Sequence, residues 1–264
     1  MAEEHVTPSD TSDQFFRELD VQLLVHELKS PLSLVEATTR TLLGQPSRLG
    51  PLTPRQEKAL QRILRGAVRG RHLVEHLLEV GRADAAQFST APFRPADAVI
   101  HTAIDAVECT DGDLASRLEA CIDDAEKLAV LADAGITVRV APDTASLTIL
   151  QDEVKFDLIV GNLIQNAVRF RRHLLDVALE RAGDRLVVTV RDDGPGIAPE
   201  HHAAVFERYR QVHASDGLER KGHGLGLAGA QILAQRLGGE IALDSVPGQG
   251  ATFRVSIPCG QADL

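Results

Sequence analysis

The chain has 264 residues, enough for two domains of ordinary size, and is 44% apolar but only 3% aromatic, with no Trp and one Tyr. Its core must come from Leu, Val, Ile and Ala, as in helical bundles and α/β layers. A net charge of −10 argues against a nucleic-acid partner, which needs a basic footprint, and three cysteines without C-x-x-C spacing argue against a disulfide framework or zinc site.

Residues 1–12 read as a disordered lead, polar and acidic, without the apolar core of a signal peptide. Thr11, Ser12 and Asp13 offer caps for a helix. Along it Val21, Val25, Leu28, Leu32, Val35, Thr39 and Leu42 recur at alternating steps of four and three, a heptad seam. The loop G-Q-P-S-R-L-G-P-L at 44–52 ends it. A second helix opens with Thr53 as cap, Pro54 at the first helical position and Gln56 completing a capping box. Its apolar line is Leu60, Leu64, Ala67, Val74 and Leu78, interrupted by Arg71. One hairpin cannot cover both seams, so residues 13–82 are expected to pair with a second copy as a four-helix bundle, a homodimer.

The small, charged run Gly81 to Gln87 marks a linker, placed at 83–92. From Phe93 the texture changes to that of an α/β domain over 93–259, with a tail at 260–264. Segments 136–140, 146–150, 186–190 and 251–257 alternate as strands do, and 153–170 and 224–237 carry helical spacing. An additional helix is expected over 109–132, with no chemical role. The fold class is therefore α+β with two domains, an antiparallel helical hairpin followed by an α/β sandwich. No apolar run approaches the roughly 18 residues needed to span a bilayer. A cytoplasmic protein without membrane insertion is expected.

Two strings carry chemistry. In V-H-E-L-K-S-P-L-S, residues 25–33, His26 lies about 100° round from the seam and so on the flank of the bundle. The neighbouring carboxylate of Glu27 can hold the proton on one ring nitrogen and leave the other free to attack. Ser30 is one turn on, and Pro31 should loosen the helix just beyond. H-E-L-K-S-P-L resembles the phosphoacceptor box of sensor histidine kinases, usually H-E-[LI]-[RK]-[TN]-P-L. Ser30 departs from the usual Thr or Asn.

The second series is N-L-I-Q-N-A, D-D-G-P-G-I and G-H-G-L-G-L-A. Asn162 and Asn166 are four apart on one helix face. D-D-G-P-G by itself is a good turn, and a lone G-x-G-x-G is a loop. In order, however, these strings resemble the ATP-binding (Bergerat) domain of the same kinases, with Asp152 ten residues before Asn162 as that family often has. The resemblance implies ATP and Mg²⁺ as cofactors. It makes Asn166 the Mg²⁺ ligand, a hard amide oxygen supplementing phosphates and waters. It sets Asn162 in the same pocket, Arg169 at the phosphates and Phe170 on the purine. Asp192 accepts a hydrogen bond from the adenine amino group, with Gly194 and Gly196 allowing close backbone approach. Gly222, Gly224 and Gly226 form the second glycine box at a helix start. Ile197, Leu225, Leu227 and Thr252 belong to the same site, and G-Q-G-A-T-F at 248–253 completes the series. V-F-E-R-Y-R-Q at 205–211 resembles the phenylalanine box of the ATP lid, with Gln211 where Arg is usual and Arg210 one place early.

The resemblance spans about residues 14–258 and implies an ATP-dependent protein histidine kinase that autophosphorylates His26. The phosphoryl group then passes to an aspartate on a separate response-regulator receiver domain, with weak phosphatase activity through Ser30. No sensor segment is recognised before residue 14, so either a separate sensor or upstream input is expected, or the sequence is the kinase part of a longer chain. The alternative is a catalytically weak dimeric scaffold or phosphotransfer module that binds ATP with little turnover, which Gln211 would explain. A third reading, an ATPase or serine kinase of the anti-sigma type, shares the pocket without needing the His26 box.

Overall fold

The structure is a computed structural model that describes residues 28–44, 50–82, 89–207 and 226–260. The chain divides into two compact units between residues 85 and 86. Val21, Val25 and the side chain of Leu78, three of the expected seam positions, lie outside the described residues.

In the first unit a helix over residues 28–44 (α1) is followed by α2, Pro54–Arg82. The capping box at its start is formed. The Thr53 N–H donates to Gln56 Oε1 at 2.9 Å, and the Gln56 N–H donates to Thr53 Oγ1 at 3.3 Å. Thr39, Ala67 and Val74 are buried, and a Cβ at Gly70 would lie 3.1 Å from Leu32 Cδ2, so the helices approach closely there. Arg71, which breaks the apolar line of α2, has a partner across the hairpin. Its Nε is 3.2 Å from Glu36 Oε2, and Arg40 reaches Glu36 Oε1 at 3.1 Å from one turn along α1. Partial burial acts to raise the Glu36 carboxyl, but these two guanidinium groups outweigh it and hold it below the usual carboxylate range. Two of the five described seam positions of α1 stay uncovered within one chain, Leu28 49% and Val35 41% exposed.

In the second unit the order is β1 (Ala91–Phe93), α3 (Pro95–Thr110), α4 (Gly112–Leu118), α5 (Asp124–Asp133), β2 (Ile136–Val140), β3 (Ile149–Gln151) and α6 (Glu153–Phe170). Then come β4 (Leu175–Ala182), β5 (Arg185–Asp192), α7 (Gly226–Arg236), β6 (Glu240–Ser245) and β7 (Ala251–Pro258). Five strands form one sheet in the order β2-β4-β5-β7-β6, parallel between β2 and β4 and antiparallel elsewhere; β1 and β3 pair separately. One face of the sheet is apolar. Val177, Val190 and Phe253 form one cross-strand row, and Leu179, Val188 and Val255 the next, all buried. They share a core with Phe156, Ile159, Leu163 and Ile164 of α6 and with Ala230 and Leu233 of α7.

Three expectations change. The single helix over 109–132 is instead two. Asp111 accepts from the N–H of Asp113 and Leu114 to start α4, and Asp123 accepts from the N–H of Glu126 to start α5. Each Asp satisfies helix-start donors, so each begins a new helix rather than continuing one. The strand expected at 146–150 shrinks to Ile149–Gln151, because Thr144 is wholly buried and closes a turn onto the Ala141 carbonyl at 2.7 Å. The second unit also reaches beyond 93–259 at both ends. The Ser89 N–H donates to Asp152 Oδ2 at 3.0 Å, and the Gly260 carbonyl accepts from the Leu150 N–H at 2.9 Å.

Asp157 is a half-buried acid where α3 meets α6, accepting from Thr102 Oγ1 at 3.1 Å. Burial pushes its carboxyl up to about 6; the Thr102 bond opposes this, Glu153 and Asp105 add repulsion, and His101 partly offsets them. The folded state therefore holds this proton more tightly than the unfolded chain does. Its contribution to stability is complete below about pH 4 and is lost as pH rises through about 6. Asp157→Asn should stabilise the protein at pH 7.5 by about 1–3 kcal/mol in urea unfolding, and the gain should vanish near pH 4. A gain that does not change with pH would exclude ionisation as its cause.

Candidate functional site

The apolar face of the sheet ends on a charge. Asp192, the last residue of β5, follows Leu186, Val188 and Val190 on the core side and is 4% exposed. Its strand neighbours are Leu175 and Ala251. Burial pushes its carboxyl up, opposed by the backbone N–H groups of Gly194 and Ala251; the Gly194 N–H lies 2.8 Å from Oδ1. Such a carboxylate is poorly solvated and keeps accepting capacity for a further donor.

Two neighbouring segments shape the loop that follows. On one side, Asp193 accepts from the N–H of Arg172 at 2.8 Å and of His173 at 3.0 Å, fixing the exit from α6. Its slight burial works upward, but the N–H groups of His173, Leu174 and Arg172 prevail and hold it below the usual carboxylate range. A Cβ at Gly194 would lie 2.5 Å from the carbonyl oxygen of Phe170, so this approach requires glycine. On the other side, the Gly248 N–H donates to the Pro195 carbonyl at 2.6 Å, and the Ile197 N–H donates to Ser245 Oγ at 2.8 Å.

Asn162 and Asn166 are half-buried on α6, one turn apart. The Asn162 amide donates to the Leu158 carbonyl at 2.6 Å, and a Cβ on Gly226 would lie 2.8 Å from Asn162 Oδ1, which brings the start of α7 against α6. Leu227 packs on the core beside it, as does Ile197. Arg169 and Phe170 end α6, both exposed, Phe170 by 44%. Asp152 caps α6, accepting from the Lys155 N–H at 3.1 Å and from its Nζ at 2.5 Å. Phe206 packs edge-on against Phe253, with ring centroids 6.3 Å apart.

The structure thus sets Gly194 beside Phe170 at the end of α6, Gly226 beside Asn162 midway along it with Asn166 one turn on, and Asp192 at the end of β5 ahead of the Gly194–Ile197 turn. It does not bring Thr252 to Asp192. Ala251 is the strand partner of Asp192, and alternation along β7 puts Thr252 on the opposite face, in a row with Arg191 and Asp244. His26, Glu27, Arg210, Gln211, Gly222, Gly224 and Leu225 lie outside the described residues, while Ser30 is exposed on α1. Asp193 and Ser245 were missed in the sequence. The second Asp of D-D-G-P-G was a visible signal for one; Ser245, in D-S-V-P-G-Q-G, gave none.

Residues 21–86 match the family of His Kinase A phospho-acceptor domains, and residues 151–261 match the histidine kinase-, DNA gyrase B- and HSP90-like ATPases. The signal transduction histidine-protein kinase AfsQ2 of Streptomyces coelicolor is 31% identical over 243 residues, covering 88% of this chain and 40% of AfsQ2. The chain belongs to the two-component sensor histidine kinases. Another such kinase, RppB of Synechocystis sp., is 28% identical over 237 residues, covering 88% of this chain and 47% of RppB. Among solved structures, full-length ShkA in complex with AMPPNP superposes with a TM-score of 0.62 at 25% identity, covering 94% of this chain and 47% of that one. The chain spans less than half the length of each of these three proteins.

Close packing makes glycine substitutions informative. Gly248 and Gly250 both have positive φ, +84° and +82°. A Cβ at Gly248 meets nothing within 4 Å, whereas one at Gly250 would lie 1.9 Å from the Asp192 carbonyl oxygen. Gly248→Ala should cost about 1 kcal/mol from backbone strain alone. Gly250→Ala should cost at least about 3 kcal/mol in chemical unfolding, because backbone must move. Equal costs would contradict this packing.

Proposed function

We propose that this chain is the kinase portion of a two-component sensor, an ATP-dependent protein histidine kinase that phosphorylates its own His26. The observation that carries the reading is Asp192. A buried carboxylate, contacted by backbone N–H groups, ends the apolar face of the sheet in the segment matching the ATPase family. It suits the exocyclic amino group of adenine, a donor that guanine does not offer at that position. The phosphoacceptor family matches the same chain at residues 21–86, which include His26.

In this reading Asp192 fixes the base and the turn through Gly194, Gly196 and Ile197 lets backbone come close to it. Phe170 offers an exposed ring to the purine and Arg169 a cation to the phosphates. Asn162, Gly222, Gly224, Leu225, Gly226 and Leu227 complete the pocket, with Arg210 as the lid cation. Mg²⁺ neutralises phosphate charge when bound. Asn166 is the residue suited to hold it, since an amide oxygen is a hard ligand and is half-buried at this site. His26, oriented by Glu27, attacks the γ-phosphorus and ADP leaves, so catalysis rests on positioning and charge neutralisation. The phosphoryl group then moves to an aspartate of a separate receiver domain, for which Leu34, 68% exposed eight residues after His26, offers an apolar contact. Ser30 keeps the hydroxyl through which weak dephosphorylation of that partner would run.

The uncovered seam supports a homodimer through residues 13–82. Supply of ATP places the activity in the cytoplasm, under a sensor or upstream input supplied separately or by further chain. Among the described residues no helix is long and apolar enough to cross a membrane. We place the linker ahead of Ser89, with the catalytic domain running from there through Gly260. The scaffold alternative rests on Gln211 alone, and the kinase names of the relatives weigh against it.

Incubation with γ-labelled ATP should give acid-labile, alkali-stable label on wild type and none on His26→Gln, with ATP binding near normal in both. Wild-type labelling of that variant would exclude His26 as acceptor. Asp192→Asn should weaken ATP binding by roughly 1–3 kcal/mol in calorimetry, the value of a hydrogen bond to a charged group. Unchanged affinity would reduce D-D-G-P-G to a turn.

A further inference from the structure

Ser245 ends β6, 5% exposed, in the cross-strand row that runs Ser245, Ala251, Asp192, Leu175. Its hydroxyl uses both of its capacities. It donates to the Gly250 carbonyl at 2.7 Å and accepts from the Ile197 N–H at 2.8 Å. The next atoms along the chain carry this further. The peptide unit whose carbonyl Ser245 holds, between Gly250 and Ala251, has its N–H acting on the Asp192 carboxylate. One hydroxyl therefore orients a donor to Asp192 and also pins Ile197, the far end of the Asp192–Ile197 turn. A hydrogen bond accepted at the carbonyl polarises the peptide and strengthens its N–H as a donor.

Nothing else in this row can do this. Ala251, the strand partner of Asp192, has no polar side chain, and Thr252 faces the other side of the sheet. Room is also short: a Cβ at Gly196 would lie 2.1 Å from the Val246 carbonyl oxygen, so the turn and the β6–β7 loop fit in one register.

We propose that Ser245 is a positioning residue for base selection: its hydroxyl clasps the Asp192–Ile197 turn to the β6–β7 loop and sets the Asp192 carboxylate for adenine. This deepens the ATP reading and rests on it. The test is calorimetric titration of the full chain, in excess Mg²⁺, with ADP and with IDP, whose base lacks the amino group. Wild type should prefer ADP. Ser245→Ala should lose about 5- to 20-fold in ADP affinity with little change for IDP, so the preference collapses toward one. Ser245→Cys, which keeps the volume with a weak donor, should fall between and covers the case in which the alanine variant does not fold. Ser256→Ala is the control. It removes a hydroxyl that accepts from Arg185 Nε at 2.6 Å, toward the far end of β7, and should leave the preference intact. If Ser245→Ala or Ser245→Cys retains the wild-type preference, or loses both nucleotides equally, Ser245 is only structural and the proposal falls. A wild type without adenine preference overturns the ATP reading and this proposal together.

Discussion

Everything at the site depends on one costly placement, a carboxylate at the end of a strand whose other inward residues are apolar. Leu186, Val188 and Val190 pack into the core, and strand alternation delivers Asp192 to the same face. Water is largely excluded there, so the charge is tolerable only with fixed donors. Gly194 and Ala251 supply them from the backbone, and the two loops that carry those donors must be held in register. This explains why glycines crowd the region: Gly194 lies against the Phe170 carbonyl, Gly196 against that of Val246, and Gly250 against that of Asp192 itself.

The two acids of D-D-G-P-G divide the work. Asp192 faces the core with its acidity weakened by burial, while Asp193 faces the exit of α6 and is held ionised by three consecutive backbone N–H groups. The second bond set links the end of the asparagine-bearing helix to the end of β5. Any ligand spanning Asp192 and Asn166 therefore meets elements that are already connected. Asp152 does the same at the start of α6, where it caps the helix and collects the Ser89 N–H and the Lys155 ammonium.

The hairpin follows a different logic. Its apolar stripe is narrow, and one chain covers only part of it. The Glu36–Arg71 pair joins the two helices by charge where the apolar line of α2 is broken. Such a partly exposed pair adds little stability, but it specifies which way the helices meet.

Local pattern in the sequence was enough for the heptad steps of α1, the Thr53–Gln56 box and the α6 amphipathy with Asn162 and Asn166 on one face, because these depend on residues within four of each other. The order of the motif strings likewise points to the family. Helix starts at Asp111 and Asp123 were also written in the sequence, but helical spacing ran across both and hid them. Strands β4 and β6 went unseen because L-D-V-A-L-E-R-A and E-I-A-L-D-S mix charges into short runs whose burial only the neighbouring strands confer. Tertiary structure alone decided that Ala251 rather than Thr252 meets Asp192, since register is set by pairing over the whole of β5 and β7. It alone decided that Arg71 is a cross-hairpin partner, and that an unremarked serine in D-S-V-P-G-Q-G holds Ile197 to Gly250. The Glu36–Arg71 bond spans 35 residues and the Ile197–Ser245 bond 48, separations at which a single sequence carries no periodic signal.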